Sequence, residues 1–142
     1  MKSAIIATLL LATGVAAQTP PQPVLPDAIK WQGSGAMKGA ESAWVVGAGD
    51  KAGLYAQRVR LAQGAMIPPH THGDERMSVV LSGTMYVGFG ERVDETALVA
   101  IPTGGVYVAP AGVPHYVVAK EGPVEYQESG MGPTATKFVP AE

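Results

Sequence analysis

The sequence contains no cysteine among its 142 residues. Disulfide bonds are therefore excluded, and so are thiolate ligands in any metal site. Stability has to come from side-chain packing and from any bound metal, and the available metal donors are nitrogen, oxygen and thioether groups. Histidine is also scarce, with three in the whole chain. The positions of these three residues are therefore the first place to look for a functional site.

Charged residues are sparse as well. They make up 15% of the chain, the net charge is −2, and the sequence has no basic cluster. Binding to nucleic acid requires a basic surface, so this composition argues against nucleic acid as a partner. A hydrophobic fraction of 46% in a chain of this length predicts one folded domain with a single core.

The N-terminal segment has no apolar run long enough to cross a bilayer, which needs about 20 residues. A basic residue, Lys2, precedes the apolar run 4–12, and small residues follow it up to Ala17. This pattern predicts a secretory signal peptide over residues 1–17. The mature protein would then be periplasmic or secreted, without membrane contact. The alternatives are a buried N-terminal helix or a residual membrane anchor.

Residues 18–30 form a proline-rich segment that can join neither a helix nor a central strand, so we expect an extended surface arm. The folded domain is predicted over residues 31–142. Glycine and proline together number 30, which favours short strands and tight turns over long helices. In residues 54–62, alternation places four side chains on one face: Tyr55, Gln57, Val59 and Leu61.

Short strands are predicted along the rest of the domain, at 43–48, 54–62, 77–82, 84–89, 105–109, 115–119, 124–128 and 136–139. Residues 94–101 fit either a strand or a short helix. The dipeptide Ser82-Gly83 predicts a hairpin between the two strands that flank it. This number of short strands, with turn signals between them, predicts an all-β antiparallel sandwich or barrel.

The three histidines occur in two segments punctuated by glycine and proline. His70 and His72 are two residues apart, so on a strand their imidazoles point to the same face. In a closed barrel, interior side chains of neighbouring strands converge, and His115 can join the pair. Three neutral imidazoles bind Fe, Zn, Mn, Ni or Cu and leave a coordination position open. The alternative is that the histidines line a metal-free polar pocket or the surface.

These two segments resemble the two motifs of a small single-domain cupin. The matching positions are Gly64, His70, His72 and Gly83 in the first motif, then Gly104, Pro110, Gly112 and His115 in the second. The resemblance covers about residues 54–128. It implies a double-stranded β-helix, the cupin jelly-roll barrel, with a divalent transition metal held inside by the three histidines. Cupins commonly pair through a sheet edge or face, so a homodimer is compatible with the resemblance.

The sequence departs from the first motif at its glutamate. Depending on the anchor from which one counts, that position is occupied by Arg76 or Met77, and Glu75 comes one residue too early. A slip of one residue sends a strand side chain to the opposite face, although a bulge before Glu75 could redirect it inward. Glu75 is therefore either a further metal ligand or a surface residue. Arg76 either pairs with Asp74, Glu75 or the carboxylate of an anionic substrate, or is an exposed charge at the barrel rim.

The resemblance implies a metal-dependent enzyme that acts on a small molecule, either as a dioxygenase or by Lewis-acid chemistry. The sequence shows no separate nucleophile with a base beside it, so the metal would have to carry the reaction, and no catalytic residue is identified. Two other functions stay open. One is a non-catalytic domain that binds a metal or a small ligand, and the other is a structural or sensing domain without metal.

Overall fold

The computed structural model describes residues 22–35 and 37–140. In this part of the chain it contains eleven strands: β1 Gln32–Gly33, β2 Ala40–Val46, β3 Gly53–Leu61, β4 Met66–His72, β5 Arg76–Ser82, β6 Thr84–Phe89, β7 Val99–Pro102, β8 Val106–Ala109, β9 His115–Val118, β10 Val124–Gly132 and β11 Thr136–Phe138. Short 3-10 turns occur at Pro26–Ala28 and Glu95–Ala97. Neither of these described helices has the length or hydropathy to cross a bilayer. The predicted signal peptide lies outside the described residues.

The strands form two antiparallel sheets. The six-stranded sheet has the order β1-β2-β3-β10-β5-β8, and the five-stranded sheet has the order β11-β4-β9-β6-β7. Neighbouring strands are often far apart in the sequence, as β3 and β10 are, which is the arrangement of a jelly roll. The predicted all-β jelly-roll barrel is confirmed.

Strand β3 shows why these residues form a two-sided sheet. Tyr55, Val59 and Leu61 are buried, whereas Arg58 and Arg60 on the opposite face are half-buried. Because successive side chains of a strand point to opposite faces, this alternation directs the apolar set inward. Strand β10 pairs with β3 over its whole length and alternates in the same way.

A hydrophobic core joins the two sheets at one end of the barrel. The six-stranded sheet contributes Val59, Leu61, Val80, Val124 and Tyr126, and the five-stranded sheet contributes Ile67, Met85, Val87, Ile101 and Val117. Burial of one side chain of this size stabilises the fold by about 1.5–3 kcal/mol. The core therefore fixes how the two sheets face each other. The positions of side chains further along the same strands follow from that arrangement.

The predicted hairpin at Ser82-Gly83 is wrong. Strand β5 pairs with β10 and β8, whereas β6 pairs with β9 and β7, so the two strands belong to different sheets. Gly83 has a φ of 78°, and a Cβ there would lie 2.3 Å from the carbonyl oxygen of Pro123. Only glycine adopts this conformation against a neighbouring backbone without strain. The dipeptide is thus a corner at which the chain leaves one sheet for the other.

Two segments outside the core, residues 94–101 and the C-terminal edge strand, can also be compared with the sequence predictions. The ambiguous residues 94–101 divide into the 3-10 turn Glu95–Ala97 and strand β7. The hydroxyl of Tyr116 ties down the start of that turn, because it accepts a hydrogen bond from Asp94 N (2.8 Å) and donates one to Asp94 O (3.0 Å). The predicted C-terminal edge strand is confirmed as β11, which pairs with β4.

Candidate metal centre

Neighbouring strands bring the three histidines together. His70 and His72 lie on β4, His115 begins β9, and His70 is paired directly with His115 across the two strands. The side chains are 3%, 4% and 1% exposed, respectively. Their ring centroids are 4.3–5.2 Å apart. One ring nitrogen from each residue lies within 4.8 Å of the other two, so the three can coordinate one ion.

Backbone carbonyls hold each ring by its Nδ1 atom. The distances are 2.8 Å from His70 to Pro68 O, 3.0 Å from His115 to Val113 O, and 3.4 Å from His72 to Ala135 O. A carbonyl oxygen only accepts, so Nδ1 carries the proton and Nε2 keeps a lone pair. Among the described residues, Nε2 of His72 and of His115 is buried without a hydrogen-bond partner. This is the tautomer that a metal ligand requires.

A local sequence feature explains two of these three anchors. In each case a proline, Pro69 or Pro114, stands directly before the histidine, and the carbonyl that holds the ring belongs to the residue before that proline. Proline fixes φ and has no N–H, so it stiffens the segment and adds no competing donor. The prolines of the two motifs therefore orient the imidazoles as well as forming turns.

The histidines are neutral near pH 7. Burial lowers the pKa of His70 to about 4 and that of His72 to about 3, with smaller effects from the neighbouring imidazoles and from Arg76. Burial also lowers the pKa of His115. Three neutral imidazoles with free lone pairs, and no thiolate, fit Fe, Zn, Mn, Ni or Cu.

Glu75 and Arg76 occupy different environments from each other. Glu75 lies before β5 with an exposed side chain, outside the three-histidine group, and its role as a ligand stays a prediction. The alternative of an exposed rim charge is wrong for Arg76, which is 3% exposed. Its Nη2 donates to Asp74 Oδ1 (2.8 Å) and its Nη1 to Glu128 Oε2 (3.1 Å). Two carboxylates therefore already neutralise its charge, and binding of an anionic substrate by Arg76 stays a prediction.

The Arg76–Asp74 pair belongs to a buried polar network. Asp74 also accepts hydrogen bonds from the hydroxyls of Tyr55 and Thr134, and Arg76 donates to Thr134 Oγ1. Burial opposes ionisation of Asp74, but the hydrogen bonds outweigh it and lower its pKa. A Cβ at Gly130 would lie 2.7 Å from Tyr55 Oη and 2.9 Å from Asp74 Oδ2, so the network needs a glycine at that position.

Sequence reasoning missed Glu128. This residue lies on β10, is 6% exposed, and lines a cavity of about 340 Å³ together with His70 and His72. Burial raises its pKa, although Arg76 acts in the opposite direction. Alternation in β10 could have identified it, because Val124, Tyr126 and Glu128 share one face and an acid among inward apolar residues is unusual.

The family assignment rests on a match between residues 48–136 and the cupin family model. The chain belongs to the cupin family. Over 65 residues it is 37% identical to germin-like protein 5-1 of Oryza sativa subsp. japonica, a match that covers 45% of this chain and 29% of that protein. The chain thus corresponds to less than a third of the curated relative that it matches.

Solved structures share the fold of this cupin at low sequence identity. The polyketide cyclase RemF from Streptomyces resistomycificus superimposes with a TM-score of 0.73 and 16% identity, over 86% of this chain and 87% of that one. The DMSP lyase DddQ from Ruegeria pomeroyi DSS-3 superimposes with a TM-score of 0.66 and 18% identity, over 82% of this chain and 64% of that one. At these identities the likeness establishes the fold alone.

Proposed function

We propose that this cupin binds one divalent transition metal through His70, His72 and His115 and uses it in a reaction on a small molecule. The observation that carries the proposal is the convergence of three buried imidazoles whose Nδ1 atoms are all fixed by backbone carbonyls. A metal-free pocket would leave the buried Nε2 atoms of His72 and His115 unpaired, at about 1–3 kcal/mol each. Coordination to a metal would satisfy them.

A metal of this class supplies either Lewis-acid polarisation of a substrate or the redox chemistry of a dioxygenase. The chain contributes the surroundings. Its carbonyl-anchored histidines are held in the ligating orientation, and three protein ligands leave a coordination position open. The cavity of about 340 Å³ beside His70 and His72 has room for a small molecule, and the hydrophobic core fills the far end of the barrel.

A non-catalytic metal- or ligand-binding protein is the second candidate function. Arg76 at the glutamate position of the first motif favours it, because Arg76 cannot ligate a metal and is held by Asp74 and Glu128. The two functions differ in turnover. Oxygen consumption with phenols, thiols and diketones, together with product analysis under argon, distinguishes them once the metal is bound.

Elemental analysis of the purified protein after reconstitution tests the metal site. We expect one equivalent of metal in the wild type and none in His70→Ala/His72→Ala. Glu75→Gln is the matched control, since its side chain is exposed and outside the histidine group. Loss of metal in this control would make Glu75 a ligand, and a wild type without stoichiometric metal would overturn the proposal.

We further propose that the protein is exported to the periplasm or secreted. The order of a basic Lys2, the apolar run 4–12 and small residues up to Ala17 supports this proposal. N-terminal sequencing of the protein from the exported fraction should begin at Gln18. An intact Met1 in the cytoplasmic fraction would contradict it.

A further inference from the structure

Four polar side chains form one row across the inner face of the six-stranded sheet. Glu128 on β10 is paired with Gln57 on β3 and with Ser78 on β5, and Ser78 is paired in turn with Tyr107 on β8. We call Gln57, Glu128, Ser78 and Tyr107 the polar row. Because each pairing is direct, the four side chains lie side by side on four adjacent strands.

The row borders the hydrophobic core. Two residues further along β3, β10 and β5, the same inner face carries Val59, Tyr126 and Val80. A buried polar group beside such a core destabilises the fold unless it finds a partner. The polar row is therefore a local exception in the barrel wall that packing does not explain.

Partners within the protein are incomplete for three members of the row. The hydroxyls of Ser78 and Tyr107 are buried near each other, yet neither makes a hydrogen bond of normal geometry in the described part of the chain. Glu128 has Arg76 as its one hydrogen-bond partner there, through Oε2, so Oε1 is free. Of these groups, Glu128 lines the cavity, so its Oε1 is available for a ligand.

The row faces the histidines. Gln57 and Glu128 line the same cavity as His70 and His72. At the other end of the row, the ring centroid of Tyr107 lies 6.4 Å from that of His115. The barrel thus has a histidine wall on the five-stranded sheet and a hydrogen-bonding wall on the six-stranded sheet.

We propose that the polar row is the recognition surface of the metal site and selects a small neutral molecule that carries hydroxyl groups, an inference that rests on the metal-binding function proposed above. Glu128 Oε1 accepts a hydrogen bond from a ligand hydroxyl, and the side-chain amide of Gln57, which lines the same cavity, can donate or accept. The row has no unpaired cation to receive a carboxylate or phosphate. Arg76 is already held by Asp74 and Glu128, so its guanidinium is not open to an anionic ligand.

The test uses two probes with Co(II)-loaded protein under argon, followed by the cobalt absorption spectrum. Azide is an anion without a hydrogen-bond donor, and ethylene glycol stays neutral at pH 7 and presents two hydroxyls. For Glu128→Gln we expect azide to bind about tenfold more tightly and ethylene glycol about tenfold more weakly than in the wild type. A merely structural defect would weaken both.

Two further variants keep the test valid if the Glu128→Gln protein fails to fold. Gln57→Leu removes a polar amide that lines the cavity, and we expect it to weaken ethylene glycol while leaving azide unchanged. Glu125→Gln is the matched control. Glu125 lies on the outer face of the same strand and forms an ion pair with Arg58 at 3.4 Å. Neither affinity should change in it.

The outcomes separate this inference from the function on which it rests. A wild type that takes up no Co(II) overturns both. Stoichiometric Co(II) in the wild type and in Glu128→Gln, with both probe affinities unchanged or shifted in the same direction, overturns the recognition role and leaves the metal site standing.

Discussion

The two ends of the barrel interior differ in what fills them, although the same strands build both. On β5, Val80 belongs to the hydrophobic core, while Ser78 and Arg76, the next inward positions, are polar. On β4, Ile67 belongs to the core and His70 to the metal site. The apolar end holds the two sheets together. The stability that this apolar end supplies offsets the cost of the buried polar groups at the histidine end.

The largest effect is expected at the polar end, from Arg76→Met. This change leaves the buried carboxylates of Asp74 and Glu128 without their cation, and we expect a loss of about 4 kcal/mol in the free energy of unfolding. Urea denaturation measures it. Adding Glu128→Gln should recover part of the loss, because one uncompensated charge is then gone. If the losses in unfolding free energy of the two single variants simply added in the double variant, Arg76 and Glu128 would not be energetically coupled.

Leu61→Ala tests the apolar end. Leu61 is 1% exposed, and its truncation should reduce the free energy of unfolding by about 3 kcal/mol by leaving a cavity in the core. Metal content per folded molecule should stay at the wild-type value. If the metal were lost as well, the two ends would not be independent.

The stability of the metal-free protein should depend on pH through the histidines. The folded-state pKa values of His70 and His72 lie below the ordinary value of 6.5, so the unfolded chain binds protons first as the pH falls. Stability is therefore highest above pH 6.5 and should fall by about 2 kcal/mol per histidine between pH 6.5 and pH 5. Denaturation at several pH values measures the slope. It should be flatter in His70→Ala/His72→Ala and unchanged in Leu61→Ala.

The smallest effect is expected for Tyr107→Phe, within about 0.5 kcal/mol, because its hydroxyl makes no hydrogen bond of normal geometry with any described residue. Tyr116→Phe is the comparison, since that hydroxyl makes two hydrogen bonds with Asp94 and its removal should cost about 1–2 kcal/mol. Thermal or urea unfolding compares the two variants. Equal losses would mean that the Tyr107 hydroxyl is bonded within the protein.

The features that could be predicted from the sequence are those set by local spacing. The two-residue interval of His70 and His72 places both rings on one face, and glycine and proline mark most strand ends. Pairing between distant strands could not be predicted in the same way. The predicted hairpin at Ser82-Gly83 is wrong because β5 and β6 each pair with strands that are distant in the sequence and belong to different sheets.

The environment of Arg76 depended on the same kind of long-range information. Asp74, two residues away, is a partner that the sequence predicts, whereas Glu128 reaches Arg76 only through the pairing of β5 with β10. A count along the first motif shows that the usual glutamate is missing. It does not show that an acid on another strand faces the same cavity.

The pairing of β11 with β4 has a consequence for how the protein is made. Thr136 and Phe138 are paired with His72 and His70, and Ala135 O is the acceptor that orients the His72 ring. During synthesis from the N-terminus, all three histidines emerge from the ribosome well before residue 135. A metal that binds in the finished geometry would therefore bind only after β11 has been translated. A chain that crosses a membrane unfolded would take its ion from the pool of the compartment in which it folds.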